Sequence, residues 1–187
     1  MQQINISIKQ HLKLATPIMQ APMAKASNAS FVAAASTAGA LGSLGAGMMP
    51  PKLMISEISA IKTLTNQPFA VNLMVLRDHQ TQKFTHAMPD WLIQKYALLG
   101  VNPNLGAKPA LDFKEQFQVL IDHPVPVASF TFGILTHDEV AKLKQVGTLV
   151  IGTANHCDEV VLWQQMGGRC GRGARQTSGR TPRWLAV

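Results

Sequence analysis

Charge is scarce in this chain. Of its 187 residues 14% are charged against 47% hydrophobic, which excludes a disordered polyelectrolyte and leaves enough apolar material for one buried core. Cysteine is scarcer still. Only Cys157 and Cys170 occur, too far apart for a CxxC pair and too few for a disulfide framework, so a stapled secreted scaffold is excluded. No leader pattern opens the chain: Gln2, Gln3, Asn5, Lys9, Gln10, His11 and Lys13 interrupt its first stretch, and the expected compartment is the cytoplasm. The one long uncharged run, Phe31 to Met49, consists mostly of Ala, Gly, Ser and Thr, with glycines at 39, 42, 45 and 47. It predicts a helix, a turn and a buried strand rather than a membrane span. The six histidines show no metal-ligand spacing. Neither a GxSxG elbow nor paired carboxylates at a strand end are present, which argues against hydrolases.

The net charge of +7 is unevenly placed. Arg169, Arg172, Arg175, Arg180 and Arg183 lie after Gly167 with no acid among them, leaving 12 basic residues against 10 acidic ones before that point. The body is nearly neutral and the basicity belongs to the tail, so the charge does not predict an anion-binding body.

Short apolar runs bounded by Gly or Pro alternate with stretches of helical spacing, the pattern of repeated βα units on a parallel sheet. Strands are expected at Ile18 to Met23, Leu41 to Gly47, Phe69 to Val75, Val125 to Gly133 and Thr148 to Ala154. A helix containing Phe31 to Ala35 is capped by Asn28 or Ser30 and stops at Gly39. Pro50 and Pro51 open a second, with Leu53, Met54, Ile58, Ile61 and Leu64 at helical spacing. A long polar connector from Arg77 to about Lys108 holds a helical patch near Trp91 to Leu99, and loops of this length are usually functional or mobile. Further helices are expected over Leu111 to Ile121, over His137 to Val146, and over Asp158 to Met166, the last with Val160, Val161 and Trp163 inward.

In parallel βα architectures the loops leaving the C-terminal strand ends build the site. Those ends read IMQAPMA at 18–24, SLGAG at 43–47, PFAVNLMV at 68–75, PVASFTFG at 126–133 and VIGTA at 150–154. Pro22 has no N–H and Ala21 is small, so a flat ring can approach the backbone there. The SLGAG turn lacks the third glycine of the dinucleotide fingerprint and reads as a close backbone passage. Asn72 is an amide inside an apolar strand and needs hydrogen-bond partners. It either ties two neighbouring strands together or faces a ligand. Ser129 and Thr131 are candidates for the same interior face.

As an ordered set these segments resemble the nitronate monooxygenase family, formerly 2-nitropropane dioxygenases, over roughly residues 12–167. The resemblance implies an α/β fold: a partial TIM-type (β/α) barrel of about five of eight βα units, with an irregular Arg/Gly-rich C-terminal tail. Residues 1–167 would form an incomplete FMN-binding barrel domain and 168–187 an aberrant, disordered basic tail. It implies FMN as cofactor, held by Ala21, Pro22, Met23 and Asn72, and an alkyl nitronate and O2 as small-molecule partners, oxidised to a carbonyl compound and nitrite. No metal, membrane or nucleic-acid partner is expected.

The family's catalytic His belongs to a later loop reading approximately VDAVVxQGxEAGGHRG, where this chain reads GRCGRGARQTSGRTPRWLAV, so no catalytic residue is assigned. Written in permitted codons and read one nucleotide later, the stretch from the Gly167-Gly168 pair yields VDAVVVAQGRQAGGHRG. A one-nucleotide slip near Gly168, with impaired activity, is therefore expected. Two other readings stand beside this one. One is a different FMN barrel that reduces a quinone or enoyl substrate with NAD(P)H. The other is a non-catalytic fragment whose arginine-rich tail binds an anion.

Overall fold

The computed structural model describes residues 8–76, 88–102 and 111–173, with side chains described as far as Gly168. Five strands, β1 (Gly42–Gly45), β2 (Phe69–Met74), β3 (Val127–Thr131), β4 (Leu149–Ala154) and β5 (Arg169–Gly173), form one sheet. Every neighbouring pair is parallel, and the order across the sheet is the order along the chain. A doubly wound fold requires a reversal of strand order. An unreversed progression with helical crossovers is the wall of a (β/α) barrel, and the fold is a partial TIM-type barrel.

Local chemistry accounts for the helices that cover this wall. Helix α1 (Ile8–His11) precedes α2 (Ala29–Thr37), whose N-cap Asn28 accepts the Phe31 N–H at 3.0 Å. Gly39, just past α2, takes the left-handed φ of 87° that such an exit favours. Pro51 is the first residue of α3 (Pro51–Leu64). From α3 the Glu57 carboxylate accepts the Ala29 N–H at 2.6 Å, placing negative charge at the positive end of α2. Helices α4 (Asp90–Leu98) and α5 (Phe113–Asp122) follow β2, and α6 (His137–Gln145) opens with a Thr136–Glu139 capping box. The uncharged run from Phe31 to Met49 thus resolves into α2, a turn and β1. No helix among the described residues is long and apolar enough to cross a membrane.

Side chains alternate across the strands and so divide the core in two. Leu44, Val71, Leu73, Ala128, Phe130 and Val150 face the helices and meet Val32, Met54, Ile58, Ile61, Leu120, Leu143 and Trp163. Leu41, Ala70, Val127 and Ile151 face the concave side, where Leu14 packs on them with Ile8, Leu12 and Met19. The segment after α1 therefore stops the N-terminal end of the wall with apolar side chains.

Three details depart from the sequence reading. The strand expected over Ile18 to Met23 contributes a single parallel bridge, Met19 to Leu41. The edge of β4, which ending the pattern at Gly167 would leave bare, is paired by β5 from Ile151↔Arg169 to Ala154↔Gly173, with an irregularity between Gly152 and Thr153. Residues 174–187, the rest of the expected tail, lie outside the described residues. Helix α7 (Cys157–Gln165) buries Trp163 completely and half-buries Val160, but Val161 is 49% exposed rather than inward.

Trp163 sets the spacing between α7 and the sheet. Its indole lies over Gly152, where an added Cβ would come within 2.0 Å of Cε2, and its Nε1 donates to the Thr153 carbonyl at 3.2 Å. Gly152→Ala must push the helix away and is expected to cost about 2–3 kcal/mol, as overpacking does. Trp163→Leu in the same chain should recover part of the loss relative to its own single-mutant cost, read as a coupling energy in urea unfolding. Strict additivity of the two changes would refute the contact.

Candidate functional site

Parallel pairing aligns Gly45 with Asn72 and Asn72 with Ser129 at one level of the wall. Below that level the concave face is apolar apart from the buried Ser43, through Leu41, Ala70 and Val127; at and above it stand Asn72, Ser129 and Thr131. A sheet that only needed a core would not change polarity halfway along its strands. The change falls toward the C-terminal ends, where barrels carry their sites.

Asn72 is buried, and its Nδ2 donates to the Ser129 carbonyl at 3.2 Å and to Ser129 Oγ at 3.0 Å. It does tie two strands together, and the remaining capacity of the side chain is the acceptor Oδ1. Thr131, two residues beyond Ser129, reaches back to the Leu73 carbonyl at 3.5 Å.

The Ala21–Met23 segment lies at the same rim. A Cβ on Gly45 would come within 2.7 Å of the Met23 carbonyl carbon and 3.0 Å of the Ala24 nitrogen. Met23 therefore crosses directly over the residue paired with Asn72. Ala21 and Met23 are exposed and Pro22 half-buried. The segment is held from beneath by Ser27, which is fully buried: Ser27 Oγ accepts the Met23 N–H at 2.9 Å and donates to the Ala21 carbonyl at 3.2 Å. Gln20 completes the bracket. Its Nε2 donates to Ser27 Oγ at 2.8 Å and to the Ala21 carbonyl, and its Oε1 accepts the Ser43 N–H at 2.7 Å.

The SLGAG turn is also tied from behind. Gln116, buried on α5, donates from Nε2 to the carbonyls of Ala46 at 3.2 Å, Gly47 at 3.4 Å and Met49 at 2.9 Å. Gly47 lies against Met74, with 2.7 Å between an added Cβ and the Met74 Cγ. Ser43 Oγ is completely buried and has no hydrogen-bond partner among the described residues.

The four residues singled out in the sequence, Ala21, Pro22, Met23 and Asn72, are thus brought to one rim. Gln20, Ser27 and Gln116 were not singled out. Of these only Gln20, between Met19 and Ala21, carries the signal that marked Asn72, a polar side chain among apolar neighbours; Ser27 and Gln116 lie in polar stretches and carry no such signal.

The nitronate monooxygenase family profile matches residues 6–170. The chain belongs to this family. A probable nitronate monooxygenase of Staphylococcus haemolyticus is 36% identical over 166 residues, covering 87% of this chain and 46% of the relative. Its counterpart in Staphylococcus aureus strain Newman is 32% identical over 162 residues, with 86% and 46% covered. Among solved structures, the nitroalkane oxidase of Streptomyces ansochromogenes superimposes with a TM-score of 0.69 at 30% identity, over 83% of this chain and 45% of that one. FabK from Thermotoga maritima, at 23% identity and a TM-score of 0.61, shares the fold. This nitronate monooxygenase family member spans somewhat under half the length of the relatives it matches.

Phe132 is a strained residue at the rim. It follows β3 with a φ of 67° and a ring 75% exposed, while the next residue, Gly133, presses against Val75 with 3.0 Å between an added Cβ and the Val75 oxygen. The exit from β3 thus holds an aromatic residue in a conformation that costs about 1 kcal/mol or more. Because the ring buries little, Phe132→Gly should be about 1 kcal/mol more stable than Phe132→Ala, the difference being the left-handed backbone. Urea midpoints at equal m-value measure it. An alanine variant as stable as the glycine one would show that no strain is stored there.

Proposed function

We propose that this chain carries the ring-facing part of an FMN site in an enzyme that oxidises alkyl nitronates with O2 to a carbonyl compound and nitrite. The reading rests on the crossing of Met23 over Gly45, the strand neighbour of Asn72, which joins two separate segments into one lip. Family membership and the likeness to a nitroalkane oxidase support the chemistry.

The residues present suit a flat, amphipathic ring. Ala21 and Pro22 offer a backbone with no bulky side chain and, at Pro22, no N–H in the way. With Nδ2 given to Ser129, Asn72 offers an acceptor to a ring N–H. Met23 supplies a polarizable apolar edge. A bound flavin would supply the electron transfer between nitronate and oxygen; the part of this chain is to seat the ring and keep its face dry. The ring site lies within residues 1–167, and the basic stretch at 168–187 has no part in it.

Phosphate sites of such barrels are commonly built after the seventh and eighth strands, so the lip described here grips the ring and not the phosphate. Titrating the 187-residue chain with FMN and with riboflavin, followed by flavin absorbance and protein NMR shifts, should give weak dissociation constants equal within roughly a factor of three. With an alkyl nitronate added, no oxygen uptake is expected, because the sequence contains no Gly-Gly-His-Arg-Gly run to supply the base that the family resemblance implies. Absence of any flavin response at millimolar concentration would refute the ring site. Saturable oxygen consumption would show that the chain holds a base elsewhere.

A further inference from the structure

The first expected strand stops after one bridge, and the reason lies in two side chains. Leu41 donates its N–H to the Ile18 carbonyl and accepts that of Gln20, both at 2.9 Å, which are the two bonds of a parallel rung. Continued pairing would send the Ser43 N–H to the Gln20 main-chain carbonyl and bring the N–H of residue 22 to the Ser43 carbonyl. Residue 22 is a proline and has no N–H. The Ser43 N–H goes instead to the Gln20 side chain, Oε1, at 2.7 Å.

We infer that Gln20 is the positioning residue of the rim: its side-chain amide takes the place of the next rung of the sheet and so turns Ala21–Met23 out of the wall and across Gly45. The two ends of the amide do different work. Oε1 satisfies the wall at Ser43, and Nε2 holds the departing segment through the Ala21 carbonyl and Ser27 Oγ. A main-chain carbonyl in the same place offers only an acceptor and would keep the segment in the sheet. An apolar residue of equal volume does neither. The functional part of this inference rests on the ring site proposed above; the structural part does not.

Hydrogen exchange on the 187-residue chain separates the two. In Gln20→Leu the Ser43 and Met23 amides should exchange roughly tenfold faster or more, as expected for lost hydrogen bonds of 1–2 kcal/mol. The Val75 amide, bonded to the Thr131 carbonyl at 2.8 Å in the neighbouring wall, should keep its wild-type rate. Gln20→Glu retains the acceptor but not the donor at neutral pH, and should speed Met23 while leaving Ser43 protected. This second variant decides the matter should Gln20→Leu fail to fold. Riboflavin should bind Gln20→Leu about tenfold more weakly than wild type, the equivalent of one such bond. Unchanged Ser43 and Met23 rates, or a rise at Val75 in step with them, would overturn the positioning role. Altered exchange with unaltered riboflavin affinity would overturn its connection to the cofactor. A wild-type chain that binds no flavin would sink the ring site and the functional part of this inference, while the exchange pattern alone would still decide the positioning role.

Discussion

The register that sets Gly45 beside Asn72 and Asn72 beside Ser129 is the constraint on which the rest depends. Side chains in a strand alternate between faces, so a slip of one residue would carry Asn72 into the helix layer among Phe130 and Ile58 and bring an apolar side chain such as Leu73 to the rim. The apolar set resists such a slip from both sides. Leu44, Val71, Ala128 and Val150 are committed to the helices, and Leu41, Ala70, Val127 and Ile151 to the concave cluster. The polar level is therefore placed by the residues around it, and Asn72 need contribute no net stability to stay where it is. Its bonds to Ser129 offset the desolvation of a buried amide.

Above that level, the structure relies on single side chains that satisfy main-chain groups. Gln20 and Ser27 hold the Ala21–Met23 crossing, and Gln116 gathers three carbonyls of the turn after β1. Each is a neutral amide or hydroxyl, so the rim is held in shape without fixed charge, and the field felt by a ligand comes from oriented dipoles. Phe132 and Ser43 are the exceptions to this economy. One keeps a left-handed backbone just past β3 and the other, on β1, a hydroxyl without a partner among the described residues. Local rules tend to be broken where a site constrains the chain.

What could be read from the sequence follows from how local each cause is. The cap at Asn28, the proline that opens α3, the period of α3 and the glycine past α2 act within a few residues, and they were legible. The strand at Ile18 to Met23 was misread because its apolar run is real while its partner bonds are taken over by a side chain, and no periodicity reports which group fills a rung. Val161 was misread for a related reason: α7 is anchored by Trp163 above Gly152, and the fit of one indole to one glycine sets the inward face more strongly than average hydrophobicity does. The strand at Arg169–Gly173 was invisible in an arginine- and glycine-rich stretch, since its formation depends on the open edge of β4 rather than on its own propensity. The four rim residues were found through family resemblance and through chemical type. Gln20 stood in the quoted motif beside them, yet its role needed the position of the Ser43 N–H.

The resemblance to FabK bears on how far this half of a barrel can determine a reaction. A wall that superimposes on a nitroalkane oxidase at 30% identity and on FabK at 23% is shared architecture, and shared architecture does not choose a reaction. On the proposed ring site, the wall would determine where a flat ring rests and which of its edges meets an acceptor. The Ala21–Met23 crossing and Asn72 would seat such a ring in either reaction, so the choice of reaction would have to come from other groups. Ring binding is accordingly the property that this chain's own residues can be held to, and it comes logically before turnover. A chain that failed to seat a flavin would lose both enzymatic readings together, whereas one that seated it without turning over would keep both and move the decision to residues beyond the rim.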